Sequence, residues 1–328
     1  MANERLPPQG LTGHIKALKH LLGTELSNAV KASSIRQKYG LDRIAVSGAN
    51  ECVSCDIAIV AIFKGEDEYL REWIEFHRTV GVDHFFLYDN GDSVVSRSIL
   101  EPYIQDGSVT YIPFPDIPER GIRRQYGKDQ FRRLSLQNLA YGHCSRNYAS
   151  KCNWLIKIDL DEFMYPLEPY QSLADAFIAF EKPQVKGFSV QAMRFGPSGQ
   201  LSRSGLTLME TYRKRNPEPD RNWKAVARGT AVSTFFGYQG CHTYFYRPVF
   251  GAKHLTDTET CNLVRINHYY IKSKDEYLDK IEKHASGHKA GKETAEKWPV
   301  ADAMADHLDE GQILRFLPIL KMRLGIKS

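Results

Sequence analysis

Cysteine is scarce in this chain, with six among 328 residues, at positions 52, 55, 144, 152, 241 and 261. A chain of this length buries a sizeable core without staples, so scattered cysteines exclude a disulfide-dense secreted scaffold. Cys52-Val-Ser-Cys55 is a lone C-x-x-C with no second pair at zinc-ribbon spacing, and reads as reduced structural thiols rather than a metal or redox site. No run of about 18 or more apolar residues occurs, which excludes a membrane-spanning helix. The opening Met1-Ala-Asn-Glu-Arg-Leu-Pro-Pro8 lacks a signal-peptide pattern, so a cytoplasmic location is expected. There is no G-x-G-x-x-G after the first strand and no G-x-x-x-x-G-K-[ST], which disfavours a dinucleotide cradle and a P-loop. Internal repeats and low-complexity segments are missing too. The net charge of +5 is mild and suits anionic small molecules or a membrane surface. No nucleic-acid-binding motif accompanies it, so nucleic acid is not an expected partner.

What is present is an ordinary globular composition, 42% hydrophobic and 25% charged. Residues 1–55 read as a helical extension, with Ile15, Leu18, Leu22 and Leu26 at helical spacing. Residues 56–285 alternate strands and helices. A buried strand is expected over 57–63. A helix follows with Glu66, Asp67 and Glu68 in its first turn, Leu70, Trp73, Ile74 and His77 on its inner face, and Gly81 closing it. A strand over 84–88 ends in the turn Asp89-Asn90-Gly91. A helix over 94–105, a strand over 109–112, a Pro- and Arg-rich loop over 113–124 and a long helix over about 129–148 come next. Such alternation implies an α/β fold with a mostly parallel sheet, helices on both faces and right-handed crossovers. Beyond 162 a helix over 173–181 and a strand near 188–193 lead into stretches suited to antiparallel strands and loops, up to about 246. A late strand covers 264–270, and Ser273-Lys-Asp-Glu276 is a capping box opening another helix. Residues 286–328 form a helical tail of mixed apolar and basic residues. It suits either an anionic membrane face, as a peripheral contact, or a docked terminal helix, since Pro318 interrupts a continuous amphipathic stripe.

The most informative run is Asn153-Trp-Leu-Ile-Lys-Ile-Asp-Leu-Asp-Glu-Phe163, a buried strand ending in carboxylates at Asp159, Asp161 and Glu162. In open α/β sheets ligands bind at the carboxyl ends of strands. A spacing of two puts Asp159 and Asp161 on one side of an extended chain, where both can face a divalent cation, and turns Glu162 away. The same run also reads as a strand ending in a solvated acidic turn. Lys64-Gly65-Glu66 and Asp89-Asn90 end two further strands at the same edge, which makes a nucleotide-sized crevice. Without a Gly-rich cradle, phosphates bound there need a cation, Mg2+ or Mn2+.

Several segments resemble glycosyltransferase family 92 and related bacterial family-2-like glycosyltransferases. They are Ile62-Phe-Lys-Gly-Glu66, Leu70-Arg-Glu-Trp-Ile-Glu-Phe-His77, the stretch 81–90, and Gln137-Asn-Leu-Ala-Tyr-Gly-His-Cys144. The resemblance continues through 154–163, Phe195-Gly-Pro-Ser-Gly199, Ile266-Asn-His-Tyr269 and Lys272-Ser-Lys-Asp-Glu-Tyr277, so it covers roughly 56–285. It implies a GT-A fold with a metal held by a D-x-D motif at Asp159 and Asp161, Asp161 being the direct ligand. It places Asp89 and the adjoining Asn90 at the base or ribose, the backbone of Ile62 to Lys64 along the uridine pocket, and His268 at the metal or diphosphate. His268 on its own also reads as a satisfied strand-end histidine.

The activity so implied is metal-dependent, inverting transfer of a hexose, galactose by family analogy, from a UDP-sugar to a glycan or lipid-linked acceptor. Charge developing on the leaving phosphate would meet the cation together with Lys224 and Lys272. Inversion needs a carboxylate base, for which Glu210 and then Asp116 are the candidates, with His242 on the acceptor side. Many family members carry a membrane anchor and disulfides. Lacking both, this chain fits decoration of a polysaccharide or lipid-linked glycan at the inner face of a membrane. The rival readings are a nucleotidyl- or phosphotransferase using the same crevice, and a non-catalytic glycan-binding module.

Overall fold

The computed structural model describes residues 11–48, 54–91, 93–115, 117, 122, 125–126, 134–220, 223–247, 253–255, 263–284, 294–303 and 307–327. A first helix, α1 (Leu11–Lys38), precedes strand β1 (Cys55–Phe63). Then follow α2 (Asp67–Thr79), β2 (His84–Asp89), α3 (Val94–Gln105) and β3 (Val109–Pro113). Next come α4 (Leu136–Asn147), β4 (Cys152–Lys157), β5 (Glu162–Pro166), α5 (Leu173–Phe177) and β6 (Val185–Arg194). The remainder comprises α6 (Leu208–Thr211), β7 (Lys214–Arg215), β8 (Trp223–Arg228), β9 (Lys253–Leu255) and β10 (Val264–His268). The last elements are α7 (Lys274–His284), α8 (Trp298–Ala303), β11 (Leu308–Asp309) and α9 (Leu317–Leu324).

One large, mostly parallel sheet has the order β3-β2-β1-β4-β8-β6-β10-β5, with β9 beside β6, while β11 and β7 form a small separate antiparallel pair. Its strands alternate between two buried layers. Ile57, Ile59 and Ala61 of β1 and Phe85 and Leu87 of β2 enter one layer with Leu70, Trp73 and Ile74 of α2. Ala58, Val60, Phe86 and Tyr88 enter the other, with Leu139 and Ala140 of α4 and Ile35 of α1. Period-two alternation with both faces covered is what the near-continuous apolar runs require. Each buried aliphatic or aromatic side chain contributes about 1.5–3 kcal/mol.

The α/β architecture and mostly parallel sheet expected from sequence are present, and several details differ. The described side chains that α1 buries are Glu25, Asn28, Ala32 and Ile35, whereas Leu26 is 48% exposed, because the helix packs where Tyr238 donates its hydroxyl to Glu25. The long helix starts only at Leu136, where the Ser135 side chain accepts from the Asn138 N–H and caps it. Pro318 does not break the tail. It stands in the first turn of α9, where a missing N–H costs nothing. The tail docks through Ile313, Phe316 and Leu320, and Arg315 donates to the Pro166 and Tyr170 carbonyls. Among the described residues no helix is long and apolar enough to cross a membrane.

Candidate active site

Since β2, β1 and β4 run parallel, their carboxyl ends bring Lys64, Asn90 and the acidic turn after β4 to one edge. β8 enters antiparallel, so Trp223 and Lys224 arrive at that edge. β6 and β10, parallel to each other, leave there with Arg194 and His268. β5 begins there, with Glu162 paired to His268.

Regular strand structure stops at Lys157, and the chain turns so that the Glu162 N–H reaches the Asp159 carbonyl at 3.1 Å. Alternation by two therefore does not govern this segment, and the two aspartates face different partners. Asp159 Oδ1 accepts from Gln137 Nε2 at 2.8 Å, and Oδ2 accepts from Lys224 Nζ at 2.6 Å. Asp161 Oδ1 lies 3.5 Å from His268 Nε2, and its Oδ2 lies 3.9 Å from Lys280 Nζ. Glu162, expected to point away, folds back into the cluster. Its Oε2 accepts from the Asp159 N–H at 3.0 Å and from Lys224 Nζ at 2.7 Å, and its Oε1 stands 3.7 Å from His268 Nδ1.

The surroundings set the charges. Burial opposes ionisation of Asp161, yet the His268 imidazole beside it, with Lys280 and Lys272, holds its carboxyl well below the usual range. Burial likewise opposes the charge on His268, but Asp161, Asp220 and Glu162 raise it to about 9. Lys224 is buried, and Asp159 and Glu162 keep its ammonium well above the ordinary lysine value. Glu66, in the loop after β1, is pushed to about 7 by burial and by Asp161. Lys272 lies 4.7 Å over the Tyr69 ring and Lys280 lies 4.4 Å over Tyr270, so two cations face Asp161 from the β10–α7 side.

Asp161 and, once a bound cation displaces its proton, His268 offer a two-donor ledge. Among the described residues no three His, Cys, Asp or Glu side chains converge to enclose an ion. A hard cation that takes one or two protein ligands and fills its shell with phosphate oxygens and water fits such a ledge. Asn90, at the carboxyl end of β2, is buried, and its Nδ2 has no hydrogen-bond acceptor among the described residues, as expected of a group that a ligand completes.

Other residues expected at the site do different work. Asp89 is fully buried and accepts from the Gly91 N–H at 2.8 Å, the Ser93 N–H at 3.3 Å and the Tyr111 hydroxyl at 3.0 Å, so it builds the turn after β2. Glu210 is engaged at both oxygens. Thr207 Oγ1 donates to Oε2 at 2.8 Å in a capping box, and Lys321 Nζ pairs with Oε1 at 2.5 Å, so the carboxylate is not free to act as a base. His242 Nδ1 donates to the Trp223 carbonyl at 2.8 Å. Ile62 is half-buried against the second hydrophobic layer, and Lys64 is exposed on the turn after β1. Asp116 and Cys52 lie outside the described residues. Gln137, Lys280 and Asp220 were not anticipated. Only Gln137 lay in a recognisable segment, and nothing in its spacing announced a bond to Asp159.

Residues 59–215 match the family model described as glycosyltransferase family 92. Over that segment, just under half of the chain, the sequence is similar to glycosyltransferase family 92. The matched segment runs from within β1 to β7 and includes Gln137, Asp159, Asp161 and Glu162, whereas Lys224, His268 and Lys280 come from residues beyond it. A glycosyltransferase family 92 protein of Oryza sativa subsp. japonica is 25% identical over 180 residues, 54% of this chain and 27% of that protein. One of Arabidopsis thaliana is 24% identical over 260 residues, 76% of this chain and 41% of the relative. A galactan beta-1,4-galactosyltransferase of Arabidopsis thaliana is 30% identical over 148 residues, 44% of this chain and 26% of that enzyme. In each case the aligned part is under half the length of the relative.

Proposed function

We propose that this chain, with its segment similar to family 92, is a metal-dependent, inverting glycosyltransferase that moves a hexose from a UDP-sugar to a glycan or lipid-linked acceptor. The observation that carries the reading is the meeting of Asp161 and His268, 3.5 Å apart, at the carboxyl edge of the parallel sheet with Lys272 and Lys280 facing them. Asp161 and His268 would hold Mn2+ or Mg2+. When bound, such an ion supplies neutralisation of the negative charge that develops on the departing diphosphate. Lys272 and Lys280 add positive charge on the same side, where a diphosphate is attracted and oriented. Asn90 offers its unpaired amide to the nucleoside, and the β1 and β2 ends form the wall on which a uracil ring lies. The name of the galactan galactosyltransferase relative makes galactose the first sugar to test.

Turnover is the direct test. Purified protein given a panel of UDP-sugars and Mn2+ should release UDP by slow hydrolysis from one hexose donor above the others. Asp161→Asn should lower that release by about 100-fold or more. Release of pyrophosphate or nucleoside monophosphate instead of UDP would contradict the reading.

A further inference from the structure

Lys224, expected beside the leaving phosphate, is instead tied into the acidic turn. Its backbone is fixed in β8 between β4 and β6, paired opposite Val190, and its side chain is 5% exposed. The ammonium reaches Asp159 Oδ2 at 2.6 Å and Glu162 Oε2 at 2.7 Å. Gln137 takes the other Asp159 oxygen at 2.8 Å, and the Asp159 N–H adds a second bond to Glu162 Oε2 at 3.0 Å. Both oxygens of Asp159 are therefore spoken for by the protein. The free oxygen of Glu162 stands 3.7 Å behind His268 Nδ1, and Asp220 Oδ2 stands 3.8 Å from the same nitrogen. Carboxylates behind Nδ1 fix the ring so that Nε2 is the nitrogen presented toward Asp161.

The turn thus has a closed half, Asp159–Lys224–Glu162, and an open half, Asp161–His268. We infer that Lys224 is a positioning residue, a built-in cation that neutralises Asp159 and Glu162 and so reserves Asp161 and His268 for the incoming metal and diphosphate. This rests on the proposed reading of Asp161 and His268. A compact ammonium with three donors suits the role, since it satisfies two carboxylates at once and stays in place whether or not a ligand is bound.

The test titrates Mn2+ alone, followed by the electron paramagnetic resonance of the free ion. Asp159→Asn should keep the affinity for Mn2+ within about threefold of wild type, while Asp161→Asn should lose about tenfold or more. Lys224→Met should open the closed half to a second ion, raising the stoichiometry from about one to about two per chain. Equal losses in the two aspartate variants, or an unchanged single site in folded Lys224→Met, would overturn the inference. If Lys224→Met does not fold, the two aspartate variants decide. If wild type binds no Mn2+, it is the metal reading that fails. Lys224 is then judged by melting temperatures without metal, where the losses from Asp159→Asn and Lys224→Gln should be less than additive in the double variant, and additivity would count against it.

Discussion

At the scale of single residues, the cluster shows why a carboxylate's neighbours matter more than its presence. Glu210, Asp89 and Asp161 look alike in a sequence. In the fold Glu210 closes a capping box and pairs with Lys321, Asp89 is consumed by its own turn, and Asp161 keeps a face toward His268. Glu210 gives a pH prediction. Burial pushes its carboxyl up slightly, but Lys321 and Thr207 hold it below the usual 4.5. A depressed acid adds stability above its unfolded value and loses it as the pH falls through the folded one. Glu210→Gln should therefore melt lower than wild type near neutrality, and the gap should close below pH 4.5. A gap that persists unchanged in acid would contradict the pairing. Asp161 stood out in the sequence as one of three carboxylates closing an apolar run at a strand end. The bonds of Asp159 were not legible, since Gln137 and Lys224 approach from elements 22 and 65 residues away.

At the scale of elements, the strands and α2 and α3 were legible because each has one dominant period and a clear stop. Gly81, with φ 96°, ends the α2 segment in a conformation that suits glycine. What failed was the region where turn geometry replaces period, as in the 159–162 turn, and the role of Pro318, read as an interruption although it starts α9, while the docked terminal helix itself was expected. Docking of α9 makes a second prediction. Leu320 is fully buried against the first hydrophobic layer, and Arg323 reaches Glu75 of α2 at 3.4 Å. Leu320→Ala should destabilise the protein by about 2–5 kcal/mol in urea unfolding. A change under about 0.5 kcal/mol would mean that the tail does not pack there.

At the scale of the whole molecule, sheet order brings the carboxyl ends of β1, β2 and β4 to one edge, and this much followed from the alternation of strands and helices. The placement of β8 between β4 and β6 did not, because an antiparallel insertion leaves no mark on the periodicity. Three histidines in the sheet and its helices tie stability to pH. Burial pushes His77 down from 6.5 to about 3, and His84 and His143 to about 4. His77 bridges α2 to β5, with Nδ1 donating to the Trp73 carbonyl at 2.8 Å and Nε2 accepting from the Met164 N–H at 3.1 Å. Below pH 6.5 the unfolded chain binds a proton that the neutral His77 ring does not, so wild type should lose stability relative to His77→Gln as the pH drops from 6.5 toward 4. Denaturation midpoints of the two proteins across that window check the sign, and a gap that does not change with pH would contradict the neutral ring.

The central claim is that Asp161 and His268 make a metal-assisted nucleotide site, and calorimetric titration of UDP tests it most directly. With Mn2+ present, UDP should bind wild type about tenfold or more tightly than without it, and Asp161→Ala should abolish that difference. If Mn2+ leaves UDP affinity unchanged, or Asp161→Ala binds as well as wild type, the site described here is not the one that holds the donor.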